Sequence, residues 1–261
     1  MTISRYRNAA TATAFASLAL LPLSGNAIAN DASACDQAEY TMGLRYQQQS
    51  AEIIALQRQG FELATYRLEK QIEAHGEDAD LAIITDVDET LIDNSALLVR
   101  DMQACHDFTV WDTWLHWERE GEPRLIPGAK DFLEFADEQG VSIYYVSDRY
   151  QENKADTLAT MEALELPQVS DERVMLLGPP KTERRAIVEE NHTLVMQLGD
   201  TLHDFSGDFA GTSLEEQRDL VNDHAERFGQ DWIVFPNASY GSWSDAELDA
   251  WQAPFEDAEN E

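Results

Sequence analysis

Leu81-Ala82-Ile83-Ile84-Thr85 runs straight into Asp86-Val87-Asp88-Glu89-Thr90-Leu91, and that junction decides how the chain is read. Four apolar residues and a threonine in a row have the length of a strand buried on both faces, as in a parallel sheet. Further short apolar runs follow at 141–146, 174–177, 193–198 and 232–235. Between them lie helical patterns near 129–138, 151–164, 182–191 and 213–228. Strands alternating with helices predict an α/β domain whose mostly parallel sheet carries helices on both faces. Upstream, residues 37 to about 75 read as helix, with Ile54, Phe61, Ala64, Leu68 and Ile72 on one stripe. Gly60 offers an interruption and Gly76 a C-terminal cap. One large irregular insertion, about 92–126, separates the first two strands and carries Trp111, Trp114 and Trp117. It has the size of a small cap over a site. No internal repeat or linker divides the rest, and the acidic tail after Pro254 reads as loose.

Ligands of such sheets sit at the carboxyl ends of the strands, so chemistry should follow the apolar runs. After the first run, Asp86 and Asp88 stand two apart, able to face one crevice once the chain turns. One can attack phosphorus while binding a cation, and the other can protonate a leaving oxygen. After the second run comes Ser147-Asp148-Arg149, where a hydroxyl and N–H groups at a helix start can cradle an anion. The third run leads to Gly178-Pro179-Pro180-Lys181, with Arg184 and Arg185 close behind. Lysine occurs only at positions 70, 130, 154 and 181, and Lys181 would offset charge among phosphate, nucleophile and metal. The fourth run ends in Gly199-Asp200-Thr201-Leu202-His203-Asp204. Gly199 lets backbones approach closely, and Asp200 and Asp204 supply hard oxygen ligands of the kind Mg²⁺ takes. Any one of these is an ordinary turn in an acidic chain. Four compatible strand ends in order are the signal.

The 261 residues hold 18 Lys+Arg against 50 Asp+Glu, a formal charge of −32. Such a surface repels nucleic-acid backbone and anionic lipid, which argues against both as partners. A small anionic substrate would need a local positive island built from metal and a few basic residues. Residues 1–29 fit a secretory signal: Arg5 and Arg7, an apolar stretch, then Ala27-Ile28-Ala29 at a small-x-small cleavage pattern. The rest is then one domain, 30–261, in a periplasmic or secreted setting, with no later segment apolar enough for a membrane span. Export would permit a disulfide between Cys35 and Cys105; the other reading makes Cys35 a lipid-carrying N-terminal residue.

The series Asp-x-Asp-x-Thr-Leu, Ser, Lys-x-x-Arg and Gly-Asp-x-x-x-Asp resembles the haloacid dehalogenase superfamily. More narrowly, residues 84–91 and 198–205 resemble the paired signatures of bacterial class C, lipoprotein e(P4)-like, acid phosphatases. Pro127-Gly128-Ala129, Pro236-Asn237 and Tyr240-Gly241 add to the likeness. The resemblance implies a Rossmann-like haloacid dehalogenase fold with a small cap insertion and an N-terminal helix. It implies an acid phosphatase acting on small phosphate monoesters, 5′-nucleotides among them, with Mg²⁺ as cofactor. By position, Asp86 would be the nucleophile and Asp88 the acid and then the base. Asp86, the Asp88 carbonyl and Asp200 would hold the metal, with Asp204 a ligand or its support. Ser147 and Lys181 would hold phosphoryl oxygens, with Arg184 as a helper. Trp114, Trp117 and Tyr240 are candidates for stacking a nucleobase. Asn94-Ser95-Ala96-Leu97 lacks the tyrosine that often follows the first motif, and Asp148 stands where relatives often carry asparagine.

Three other readings stand beside this one. A dehalogenase would not need Asp88, and a phosphomutase would be expected to carry a larger cap. A periplasmic phosphate-ester or haem binder that keeps the fold without turnover would be expected to lose the nucleophile or the acid. The sequence leaves the oligomeric state open.

Overall fold

The computed structural model describes residues 37–76, 79–107, 110–244 and 246–251. The expected leader at 1–29, Cys35 and the tail from 252 lie outside them. Two helices open this part: α1 (Gln37–Gln49) and α2 (Ala51–His75). The break falls at Ser50 rather than Gly60. Ser50 caps α2, its hydroxyl accepting from the Ile53 N–H at 3.1 Å, a bond that favours a helix start over a helix interior. Gly60 stays helical for another reason. A Cβ there would lie 2.7 Å from the Phe235 ring, so the missing side chain lets α2 press onto the sheet. The buried stripe of α2 is Ile53, Gln57, Phe61, Ala64 and Leu68. Ile54, expected on that stripe, is exposed instead: Phe61, Ala64 and Leu68 keep their places, and the stripe runs back through Gln57 and Ile53, leaving Ile54 just past its edge.

Five strands form the main sheet. They are β1 (Leu81–Thr85), β4 (Ser142–Val146), β5 (Val174–Met175), β6 (Thr193–Gly199) and β7 (Trp232–Val234). Every pairing is parallel. β1 lies at the centre and is buried along its whole length. Leu81 and Ile83 join Phe61, Leu68, Phe132 and Leu133 in the larger core, whereas Ala82 and Ile84 meet Val146 and Val188 on the opposite face. That two-sided burial is why the run shows no polar alternation. Helices α5 (Ala129–Glu138), α6 (Lys154–Ala163), α7 (Lys181–Asn191) and α8 (Leu214–Asp223) fall between the strands. From β1 the chain winds outward through β4 to β5, then crosses to the other side of β1 for β6 and β7. The carboxyl ends of β1, β4 and β6 therefore flank the crevice where the strand order reverses.

The stretch between β1 and α5 forms a two-stranded antiparallel ribbon, β2 (Ile92–Asp93) with β3 (Arg124–Leu125). Helices α3 (Ser95–Gln103) and α4 (Trp114–Glu120) lie between these two strands. Leu97, Leu98 and Trp114 pack with Leu44 of α1 in a core of their own. Among the described residues no helix is long and apolar enough to cross a membrane.

Candidate active site

Asp86 is the first residue past β1. Its N–H donates to the Leu198 carbonyl of β6 at 2.9 Å, so the sheet itself fixes its backbone. Its carboxylate is almost buried, as is the Lys181 side chain that meets it. Lys181 Nζ donates to Asp86 Oδ1 at 2.6 Å and to Asp204 Oδ1 at 2.5 Å. An ammonium in the first turn of a helix opposes the helix dipole. Here two buried carboxylates hold it, and they raise its pKa against the opposing effect of burial. Asp200 completes the group. One carboxylate oxygen from each of Asp86, Asp200 and Asp204 lies within 4.8 Å of the others.

The local geometry explains why these residues sit there. A Cβ on Gly199 would stand 2.4 Å from Asp204 Cβ, so only glycine lets Asp204 fold back beneath the strand end. Asp204 Oδ2 accepts from the Thr201 N–H at 2.9 Å and from its hydroxyl at 2.7 Å. Asn237 Nδ2 donates to Asp200 Oδ2 at 2.8 Å, and the Thr90 hydroxyl reaches Asp200 Oδ1 at 3.3 Å. Burial, followed by the neighbouring carboxylates, pushes Asp200 well above the ordinary range. Asp86 is also pushed well up by burial, with Lys181 pulling the other way. For Asp204 burial acts upward too, but Lys181 and the Thr201 bonds outweigh it and the pKa is lowered. Three clustered carboxylates, those of Asp86 and Asp204 buried and that of Asp200 half-buried, crowd one ammonium, and a bound cation would relieve the crowding that, beside burial, raises Asp86 and Asp200. The donors are all hard oxygens, as a divalent cation of the Mg²⁺ type prefers and a soft metal does not.

The Asp88 carboxylate has partners of its own. It meets Arg149, whose Nε lies 3.0 Å from both carboxylate oxygens and whose Nη2 lies 2.8 Å from Oδ1. Ser147 Oγ donates to Asp88 Oδ2 at 3.2 Å, and Asn94 Nδ2 to Oδ1 at 2.9 Å. Ser147, Arg149 and Asn94 are all buried. Arg184, expected as a helper at phosphate, is spent elsewhere. Its Nη1 donates to the Ser147 and Met175 carbonyls at 2.7 and 3.0 Å, and its Nη2 to Asp148 at 2.5 Å. It braces the loop after β4 from below.

Of the expected aromatic residues, Trp114 and Tyr240 come together, edge to face with centroids 5.8 Å apart. Trp114 is buried. Trp111 packs on both, 5.7 Å from Trp114 and 5.3 Å from Tyr240, and remains 39% exposed. It is thus the member of the trio able to meet a ligand from solvent. Trp117 is half-buried and gives its indole N–H to Asn94 Oδ1 at 2.8 Å, which marks it as a strut. The Tyr240 hydroxyl donates to the fully buried Glu89, whose pKa burial drives up to about 8.

Sequence reasoning passed over Arg149, Asn94, Glu89 and Asn237. Arg149 carried a usable signal, since it follows the Ser147-Asp148 pair at a strand end. Glu89 reads as part of an acidic turn, and Asn94 enters only as the start of the stretch that lacks a tyrosine.

A parallel sheet with three clustered carboxylates and a lysine at its central strand ends could hold a divalent cation there, the arrangement of an α/β hydrolase. The family model for HAD superfamily, subfamily IIIB (acid phosphatase), matches residues 5–243, and the chain belongs to that family. By membership it is a phosphoric monoester hydrolase acting on small phosphate esters. The class C acid phosphatase from Bacillus anthracis is similar, with 32% identity and a TM-score of 0.74 over 80% of this chain and 86% of that one. The same Bacillus anthracis enzyme with tungstate bound matches over the same shares, identity and score.

Proposed function

We propose that this protein is an exported, Mg²⁺-dependent acid phosphatase that cleaves phosphate monoesters, 5′-nucleotides among them, through a phosphoryl-aspartate at Asp86. The observation that carries this reading is the Asp86–Lys181–Asp204 cluster with Asp200 beside it at the end of β1. Asp86 attacks phosphorus, and the bond to the leaving oxygen breaks as the new P–O bond forms. Asp88 gives its proton to that oxygen, which departs as an alcohol. Asp88 then takes a proton from water, and the resulting attack on phosphorus frees Asp86 and inorganic phosphate. Ser147 and Lys181 hold the phosphoryl oxygens, and Lys181 also steadies Asp86. Asp86, Asp200 and Asp204 would hold Mg²⁺ through their carboxylates, and the Asp88 backbone carbonyl would be a further ligand. The bound ion supplies charge neutralisation for phosphate and nucleophile alike. Binding of the oxyanion tungstate by the Bacillus anthracis relative is in keeping with such a site.

Residues 92–126 serve as a cap, and Trp111, backed by Trp114 and Tyr240, takes an aromatic leaving group. Export, to the periplasm or beyond, rests on the leader pattern at 1–29 and on Cys105 being disulfide-bonded, a state typical of oxidising compartments. The test is phosphate release from 5′-nucleotides, an aryl phosphate and alkyl phosphates, with Mg²⁺ or with EDTA, beside Asp86→Asn. Metal-dependent release lost in the variant supports the reading. Release that survives both EDTA and the variant refutes it.

A further inference from the structure

Asn94 stands at the N-cap of α3, a position where asparagine ordinarily spends its side chain on the first helical N–H groups. Here it makes no such bond. Asp93 Oδ1 accepts from the Ser95 N–H at 2.8 Å instead. The Asn94 amide is fully buried and turns inward, where both ends of it are occupied. Nδ2 donates to Asp88 Oδ1 at 2.9 Å and to Glu89 Oε2 at 3.3 Å. Oδ1 accepts from Trp117 Nε1 at 2.8 Å and from Arg149 Nη2 at 3.5 Å. Its backbone N–H holds Glu89 Oε1 at 2.9 Å. Asn94 therefore joins three parts of the molecule: the Asp88 carboxylate, the Glu89–Tyr240 pair, and helix α4 through its indole.

We propose that Asn94 is a positioning residue for Asp88, fixing the rotation of that carboxylate and tying it, through Trp117, to the placement of α4. Arg149 grips the Asp88 carboxylate through both Nε and Nη2. The Ser147 hydroxyl holds Oδ2 at 3.2 Å, and the Asn94 amide holds Oδ1 from another direction, so that the three partners together fix the angle of the group. The proposal rests on Asp88 acting as the proton donor to the leaving oxygen. When phosphorus transfers to Asp86, the electron pair of the broken bond stays on the leaving oxygen. An alkoxide needs the proton at that moment, whereas a 4-nitrophenolate departs readily without it. Misplacing Asp88 must then hurt alkyl esters more than aryl ones. A general loss of folded protein would hurt both equally.

The experiment compares kcat/KM for 4-nitrophenyl phosphate and glycerol phosphate at saturating Mg²⁺, a parameter that covers the first transfer step. The ratio between esters is independent of how much active protein each preparation contains. Asp88→Asn should lower the alkyl value more than the aryl value by on the order of 100-fold, the usual size of a proton-donor effect. Asn94→Ser should show the same selectivity at about 10-fold, as expected for a residue that orients another. Trp117→Phe keeps the ring and removes the N–H; it should show a selectivity of about 3-fold, at the lower end of what one hydrogen bond is worth. If Asp88→Asn is selective while Asn94→Ser loses equally on both esters, the positioning role is wrong and the proton-donor assignment stands. If Asn94→Ser yields no active protein, Trp117→Phe decides, and an unchanged ester ratio overturns the proposal. Equal losses in Asp88→Asn itself remove the donor assignment and this inference together.

Discussion

Gly199→Ala is the sharpest structural perturbation of the site, because one methyl group lands on one of the three clustered carboxylates. Gly199 does not lie in the left-handed region, so its backbone tolerates alanine and the cost comes from contact alone. The added Cβ would sit 2.4 Å from Asp204 Cβ and 2.5 Å from Asp204 Oδ2. Ordinary carbon contacts begin near ~3.5 Å, so Asp204 must retreat by about 1 Å. That retreat breaks the 2.5 Å bond from Lys181 and loosens the two bonds from Thr201. Overpacking of this kind costs about 1–3 kcal/mol of stability. A displacement of about 1 Å at a reacting centre costs on the order of 100-fold in rate. The expected result is a lower melting temperature, kcat/KM down by about that factor, and a Mg²⁺ requirement raised about 10-fold or more. Activity titrated against Mg²⁺, with melting curves in parallel, measures all three. Wild-type Mg²⁺ affinity and rate in a folded Gly199→Ala protein would refute the reasoning.

Other perturbations have equally definite outcomes. Glu89 and Glu118 are buried, and burial first of all raises them from the ordinary 4.5 to about 8 and about 7. The folded state therefore holds protons that the unfolded state has released, so stability falls as pH rises. The contribution is whole below the ordinary glutamate value and is lost as pH climbs through about 7 for Glu118 and about 8 for Glu89. Melting in EDTA from acid to mildly alkaline pH should show that decline, and Glu118→Gln should flatten its lower part; a rise with pH would contradict the assignment. Lys181→Met removes the one cation between two carboxylates and should cut kcat/KM for every ester by roughly 100-fold or more, the scale of a lost oxyanion donor. Trp111→Ala should lower kcat/KM for 5′-nucleotides and leave small alkyl phosphates unchanged, whereas equal losses would remove it from the pocket. Cys105→Ser should cost about 2–5 kcal/mol, the usual loss for a native disulfide, read as a lower denaturation midpoint; an unchanged midpoint would contradict a stabilising bridge.

Much of the fold could be read from the chain because burial on both sheet faces writes uniform apolar runs. The run at β1 matches its strand residue for residue, and the carboxylates and lysine at the strand ends fall where a parallel sheet converges them. The misreadings have local physical causes. Ser50 rather than Gly60 broke the N-terminal helix, because a hydroxyl that caps competes with helix continuation whereas a glycine under an aromatic ring does not. Toward the start of α2 the buried stripe runs through Gln57 and Ile53, so Ile54, which the apolar spacing picked, lies past its edge. The indole at Trp117 read as a stacking surface, yet its N–H had a buried acceptor to satisfy. Arg149 and Asn94 were invisible as partners of Asp88 for different reasons. Arg149 lies 61 residues away, and nothing in the stretch from Asn94 to Leu97 says that the amide turns inward, because its burial is set by packing of α4.

The account stands or falls on Asp86 carrying the phosphoryl group. Rapid mixing with a good substrate and Mg²⁺, acid quench and peptide mass analysis would test it directly. The account predicts one phosphoryl group on the peptide that spans 81–91, located at Asp86, and none in Asp86→Asn. Steady turnover with no phosphoryl group on that peptide, or undiminished turnover by Asp86→Asn, would contradict it.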